Sequence, residues 1–124
     1  MVSLSCFSRQ ARLLQSREFQ RVFNNTECKS ADALLTVLAV RNTCGHPRLG
    51  LAISKKKIKT AVARNKIKRL IRESFRQHKN EMGNLDIVVL GQTRAAMASN
   101  QQAFESLATH WKNITDRCKK LSSY

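Results

Sequence analysis

Acidic residues are scarce in this sequence, and their scarcity argues against one class of enzyme. Eight Asp and Glu stand against 23 Lys and Arg, which gives a net charge of +15. A nuclease that holds two metal ions needs clustered carboxylates as ligands, but the eight acids are scattered, and no nucleophile–base pair is evident. We therefore predict no catalytic residue, no metal site and no cofactor bound by protein ligands alone.

Long apolar runs are missing as well. No stretch reaches the roughly 18 consecutive apolar residues that a membrane-spanning helix requires. The N-terminus lacks the basic region and apolar stretch of a secretory signal, and neither end carries a lipidation motif. These absences predict a cytoplasmic protein without a membrane partner.

The cysteines and histidines show no spacing typical of a metal or dithiol site. Cys6, Cys28, Cys44 and Cys118 include no C-x-x-C pair, and the three histidines are scattered. A zinc knuckle or a redox motif is therefore unsupported. In a cytoplasmic protein we expect these thiols to be reduced and mostly structural.

Positive charge is what the sequence has in excess, and most of it lies in one segment. Residues 48–79 hold twelve Lys or Arg and one acid, Glu73, for a net charge of +11, whereas the rest of the chain carries +4. A field of this strength favours a polyanionic partner, either nucleic acid or an anionic membrane surface. Since membrane signals are absent, nucleic acid is the favoured class.

Apolar periodicity predicts three helices and three strands in a single RNA-binding domain spanning residues 1–124. The predicted helices cover 16–24, 61–78 and 103–121, and the predicted strands cover 34–40, 49–53 and 86–90. This order contains a strand–helix–strand unit. We therefore predict an α+β fold, in which a mixed sheet of about three to four strands packs against helices.

The helix predicted over 61–78 separates apolar from basic residues. On an ideal helix of about 100° per residue, Ala63, Ile67, Leu70 and Ile71 gather on one side. The opposite strip carries Arg64, Asn65, Lys68, Arg69, Arg72 and Arg76. Just before the helix, Lys55, Lys56 and Lys57 add charge next to its N-terminus, where free N–H groups favour anions.

Periodicity alone leaves three interpretations of this strip open: a solvated charged face, a helix that binds calmodulin or a membrane surface, and a nucleic-acid contact. Clustered bases with almost no acids favour the last. Arg and Lys neutralise phosphates and release counterions, and Asn65 can hydrogen-bond to a base edge or a 2′-hydroxyl.

The residues of this segment also carry a recognisable signature. It reads RLGL at 48–51, SKK at 54–56 and ARNKIKRLIRESFR at 63–76, and it is flanked by EFQRVF at 18–23 and DIVV at 86–89. In order and spacing these blocks closely resemble the bacterial ribonuclease P protein component over nearly the whole chain. One departure is Lys66, which stands where the family has Arg and keeps the charge without the planar guanidinium.

The resemblance implies a subunit of a ribonucleoprotein endoribonuclease that removes the 5′ leader of precursor tRNA. The implied partners are a catalytic RNA, which holds the active-site Mg²⁺, and precursor tRNA, with no protein partner. It also implies a left-handed β-α-β crossover, whereas the general rule favours the right hand. The RNA-binding residues that it implies are Arg64, Asn65, Lys66, Lys68, Arg69 and Arg72, and the charge pattern adds Arg76, Lys55, Lys56 and Lys57.

In the family, the leader lies in a cleft between the first helix and the sheet, where Phe19 and Phe23 match aromatic positions. Stacking of unpaired bases on these rings would suit leaders of many sequences. Core packing is an equally open role for each ring. Because both faces of the strand at 34–40 are apolar, the sequence does not tell which face lines the cleft.

Two other functions remain open at this level: a structural RNA-binding protein, such as a ribosomal protein, and a self-sufficient nuclease. Composition does not separate the first from a ribonuclease P subunit, but the long basic motif favours the subunit. Two single residues also receive predictions: Asp86 should cap a strand or form an ion pair, and Trp111 should lie in the core.

Overall fold

The structure is a computed structural model that describes residues 16–43 and 45–122. Its elements are α1 (Ser16–Asn24), β1 (Cys28–Ala31), β2 (Leu35–Arg41), β3 (Arg48–Ala52), α2 (Ala61–Met82), β4 (Leu85–Gly91), a short 3₁₀ helix (Thr93–Met97) and α3 (Asn100–Ser122). The predicted α+β class is confirmed, with four strands in one mixed sheet.

The strand order in the sheet is β1-β2-β4-β3. Neighbouring strands are antiparallel except for β3 and β4, which run parallel. Helix α2 therefore connects two adjacent parallel strands, as the strand–helix–strand pattern predicted. The left hand of this crossover stays a prediction from the resemblance.

The helices cover both faces of the sheet. On one face, α2 and α3 enclose the main core, and Leu35 and Val37 of β2 point into it. On the other face lies α1, where Val22 packs against Val40 and Val88, with Leu38 partly buried beside them. The alternation of side chains along β2 therefore assigns its even-numbered residues to the face that carries α1.

Strand β1 and the 3₁₀ helix were not predicted, and α2 and α3 extend beyond their predicted bounds. Strand β1 was missed because Lys29 and Ser30 make it polar, and its alternating burial is visible only once it pairs with β2. Helix α2 runs beyond residue 78 because Met82, which is 3% exposed, still reaches the core. It ends at Gly83, whose φ of 71° suits glycine.

Edge strand β1 is joined to α3 by a disulfide between Cys28 and Cys118. The prediction of reduced thiols is wrong for this pair. The two residues are 90 positions apart in sequence, and they meet only because β1 lies against α3, which no cysteine spacing reveals. Cys6 and Cys44 lie outside the described residues.

A buried histidine also links α3 to β1. His110 is 2% exposed, and its Nδ1 and Nε2 lie 2.7 Å from Ser30 Oγ and 3.2 Å from Asp32 Oδ2. Asp32 accepts further hydrogen bonds from the Ser106 hydroxyl and from two backbone N–H groups. Partial burial opposes ionisation of Asp32, but these bonds and the nearby imidazole hold its pKa below its usual value.

The main core contains Trp111, as predicted. The indole is 2% exposed and meets the Phe75 ring edge to face, with ring centroids 6.1 Å apart. Its Nε1–H donates to Ser74 Oγ at 2.8 Å, which satisfies the buried donor. This contact locks α2 against α3 and fixes which side of α2 remains outside.

Candidate nucleic-acid interface

Helix α2 begins at a side-chain cap and exposes one basic side. Thr60 Oγ1 accepts a hydrogen bond from the Ala63 N–H at 3.1 Å, which satisfies one of the free donors of the first turn. The buried residues, which include Ile67 and Ile71, recur at helical spacing. The opposite side is therefore the one that faces solvent.

The exposed side of α2 is called the basic face here. Its members are Asn65, Lys66, Lys68, Arg69, Arg72 and Arg76, of which Lys66 and Lys68 are half-buried and the others exposed. The Arg76 guanidinium pairs with the Glu73 carboxylate, but both side chains are exposed. Such a pair contributes only about 0–1 kcal/mol, so Arg76 can exchange it for a phosphate.

Arg64 departs from the predicted strip. It is half-buried and turns back toward the N-terminus of the helix. Its Nη1 donates hydrogen bonds of 3.0 Å to the carbonyl oxygens of Ile58 and Lys59. Arg64 thus lies where the basic face meets the preceding loop, with part of its donor capacity directed at the protein.

The loop between β3 and α2, residues 54–60, is called the lysine loop here. Lys55, Lys56 and Lys57 are exposed, as a phosphate-binding role requires, whereas Ile58 is fully buried. Lys57 Nζ lies 2.6 Å from Oε1 of Gln92, the residue that follows β4. Gln92 in turn donates to Thr36 Oγ1 at 2.9 Å, on the sheet face that carries α1.

Apolar side chains lie between α1 and this face of the sheet, at the place where the resemblance puts the leader cleft, and this region is called the cleft here. Phe19 and Phe23 stack on each other with ring centroids 6.4 Å apart and an interplanar angle of 23°. Phe19 is half-buried against the small cluster beneath α1, whereas Phe23 is 42% exposed. The partly buried residues that also pack against this cluster are Leu38, Ala52 and Leu90.

A buried carboxylate holds α1 in place over the sheet. Asp86 is fully buried and accepts two hydrogen bonds from Arg48, one from Arg21 of α1 and one from Asn42, all at 2.8 Å. The predicted ion-pair role of Asp86 is confirmed. The sequence did not single out Arg21 or Arg48, although Arg48 and Asp86 are register partners on β3 and β4.

These surfaces can be compared with known proteins. The family model described as Ribonuclease P matches residues 7–115. The ribonuclease P protein component of Methylococcus capsulatus is 46% identical over 117 residues, which cover 94% of this chain and 91% of that protein. The chain belongs to the ribonuclease P protein family.

Solved ribonuclease P proteins share the fold. A Staphylococcus aureus RNase P protein mutant, described as having defective mRNA degradation activity, superposes with a TM-score of 0.79 at 34% identity, covering 87% of this chain and 91% of that one. The Thermotoga maritima RNase P protein gives 0.70 at 28% identity, covering 79% and 92%. The sequence resemblance is thereby confirmed over most of the chain.

Family membership favours the ribonuclease P subunit over a ribosomal protein. Across residues 16–43 and 45–122, no helix is long and apolar enough to cross a membrane. Over the same ranges, no group of three or more His, Cys, Asp and Glu is placed to hold a metal ion. The basic face, the lysine loop and the cleft are the candidate RNA-binding surfaces among the described residues.

Proposed function

We propose that this ribonuclease P protein binds the catalytic RNA through the basic face and the lysine loop, and the 5′ leader of precursor tRNA through the cleft beside α1. The observation that carries the proposal is the sidedness of α2. Ile67 and Ile71 are buried, whereas Arg69, Arg72 and Arg76 on the other side are exposed. We also propose a cytoplasmic location for this role, where the Cys28–Cys118 bond would be exposed to a reducing environment.

The basic face suits the RNA backbone. Arginine presents a planar fork that binds phosphate through two hydrogen bonds, and Arg69 and Arg72 are both exposed. Asn65, exposed beside them, adds a donor and an acceptor that can bind a 2′-hydroxyl. Lys66 retains the charge that the family's arginine would supply at that position.

The cleft suits an unpaired strand. Phe23 leaves enough of its ring exposed for a base to stack on it, and the floor beside Phe19 is apolar. Stacking contributes about 1–3 kcal/mol per base and depends little on base identity. These properties match a protein that must accept precursor tRNAs with many different leaders.

In this proposal the catalytic groups and the Mg²⁺ ions belong to the RNA, and the protein contributes binding energy and orientation. The reaction is hydrolysis of one phosphodiester bond at the mature 5′ end of the tRNA. Effective neutralisation of phosphates near the substrate would lower the Mg²⁺ concentration that the RNA needs, because protein cations replace counterions there.

The first experiment measures precursor-tRNA cleavage at low Mg²⁺ with the RNA subunit of the same organism, with and without this protein. Restoration of cleavage at the mature 5′ end by the protein would support the proposal. Binding of the RNA without any gain in cleavage would contradict it. A protein-only arm on precursor tRNA and on an mRNA tests for a nuclease activity of the chain itself, which would contradict the assignment of catalysis to the RNA.

A second experiment tests the basic face. The double variant Lys68→Ala, Arg72→Ala should weaken RNA binding and make its salt dependence shallower by up to about 1.4–1.8 in log–log slope, roughly 0.7–0.9 for each lost phosphate contact. The matched control is Lys112→Ala, Lys120→Ala, which removes two exposed charges from α3 instead. Equal losses in both variants would show a general charge effect and remove the basic face from the interface.

A further inference from the structure

The lysine loop contains one residue that does not belong to its exposed surface. Ile58 has no exposed area, although Lys55, Lys56, Lys57 and Lys59 around it are all exposed. A buried aliphatic side chain inside a run of solvated lysines anchors the loop, because exposing it would cost the hydrophobic free energy of the whole side chain.

The space that receives Ile58 exists because residue 91 is glycine. A Cβ at Gly91 would lie 2.9 Å from Ile58 Cδ1 and 3.2 Å from Ile53 Cδ1. Gly91 lies in strand β4 and does not have the positive φ seen at Gly45 and Gly83. A side chain at this position would therefore push the end of the Ile58 side chain out of its present place, whatever the backbone conformation.

The loop is also held from the side of α2. Two loop carbonyls, those of Ile58 and Lys59, accept hydrogen bonds from Arg64 Nη1. The Ile58 N–H donates to the Ser54 carbonyl at 3.0 Å, which closes the turn internally. With Thr60 capping the helix, the loop backbone is fixed at both ends and in its middle.

We propose that Gly91 and Arg64 are positioning residues for RNA binding. Gly91 provides the space that Ile58 occupies, and Arg64 holds the carbonyls of Ile58 and Lys59. Together they fix the backbone that presents Lys55 to Lys57 to phosphates. The inference rests on the proposed function and deepens it. It assigns both residues a role that acts through the loop, although Gly91 carries no charge that could bind RNA itself.

Preorganisation of the lysine loop explains how much RNA affinity we expect the variants to lose. A loop that is already ordered loses little conformational freedom when it binds, whereas a loosened loop must order several rotamer-rich lysines at that moment. We expect loosening to raise the dissociation constant for the RNA subunit roughly three- to tenfold. Since no phosphate contact is lost outright, the salt dependence should remain unchanged.

The decisive experiment is a rescue in the full-length protein. Gly91→Ala should weaken binding of the RNA subunit, because the new methyl group displaces Ile58. The double variant Gly91→Ala, Ile58→Val removes the Cδ1 atom in conflict and should return the dissociation constant to within about twofold of wild type. Ile87→Val is the stability control, because it trims the core in the same strand without touching the loop, and its RNA affinity should equal that of wild type.

A readout without RNA separates the loop from the proposed function. Trypsin should make its first cut in the free Gly91→Ala protein within Lys55–Lys57 faster than in wild type, as mass spectrometry of the fragments would show. If Gly91→Ala does not fold, Arg64→Gln is compared with Arg69→Gln, which loses the same charge. Arg64→Gln alone should speed the cut in the loop.

Two results would overturn the inference. One is wild-type RNA affinity in a folded Gly91→Ala protein, and the other is equal cleavage of the loop in Arg64→Gln and Arg69→Gln. If the wild-type protein neither binds the RNA nor supports cleavage, that result would instead contradict the proposed function. In that case faster trypsin cleavage in Gly91→Ala would still show how the loop is held, but its assigned role in RNA binding would fall.

Discussion

Replacing Asp86 by asparagine should remove a large part of the stability of this protein. Asp86→Asn keeps the shape of the side chain but deletes the charge that faces Arg48 and Arg21. The Arg48 side chain is only 13% exposed, so its guanidinium would stay buried and lose the charge of the carboxylate that it now faces. The Arg21 side chain is 43% exposed and can turn to water.

The expected loss in the free energy of unfolding follows from the exposed fractions of the two arginine side chains. Removing one partner of a buried ion pair costs about 3–5 kcal/mol, whereas an exposed pair contributes about 0–1 kcal/mol. Arg48 therefore dominates, and we expect Asp86→Asn to lower the free energy of unfolding by about 3–5 kcal/mol. That is about a fifth or more of the roughly 5–15 kcal/mol that stabilise a typical domain.

Urea unfolding followed by far-ultraviolet circular dichroism measures this loss. With a slope of about 1–3 kcal/mol per molar urea, the midpoint should fall by roughly 2 M for Asp86→Asn. In the matched variant Arg21→Gln, it should fall by less than half of that. Similar midpoints for the two variants would refute the assignment of the stabilisation to the buried Arg48–Asp86 pair.

Three further predictions concern other parts of the molecule. Reduction of the Cys28–Cys118 disulfide should lower the free energy of unfolding by about 2–4 kcal/mol in thermal or urea melts, and a Cys28→Ser, Cys118→Ser variant should not respond to reductant. The pKa of Asp32 is lowered in the folded protein, so its ionised form should stabilise the fold above its unfolded pKa of about 3.9. This stabilisation should be lost as the pH falls through the folded pKa. Urea melts of wild type and Asp32→Asn should therefore differ near pH 6 and converge in acid. Phe19→Ala should weaken precursor tRNA binding more than mature tRNA binding in equilibrium titrations, and equal losses would argue against a leader contact.

The helices and three of the strands could be predicted from sequence because their apolar residues recur with a clear period. Helix α1 matches its prediction over Ser16–Asn24, where three apolar residues mark one face. Strand β1 could not be predicted, since its buried positions are Cys28 and Ser30 and it depends on pairing with β2. The periodicity of apolar residues predicts elements whose own apolar side chains are buried. It misses an element such as β1, whose burial depends on pairing with a neighbouring strand.

The candidate site shows the same division. Helical spacing was enough to place Asn65, Arg69 and Arg72 on one exposed face. The inward turn of Arg64 could not be predicted, because it depends on the carbonyls of a loop that Ile58 anchors beside the distant residue Gly91. Contacts that depend on the meeting of distant segments are not encoded in periodicity.

The placement of α1 and α2 on opposite faces of the sheet has a consequence for how the proposed leader contact can evolve. The cleft floor at Leu38, Ala52 and Leu90 packs with α1, and the residues of α2 that enter the protein pack against the other face. Substitutions in the floor can therefore accumulate without disturbing the packing that presents the basic face, and their energetic effects should add to those of changes in α2. Gln92 connects the two surfaces, because its side chain forms hydrogen bonds with Lys57 of the lysine loop and with Thr36 at the cleft. Substitutions of Gln92 should therefore affect both surfaces.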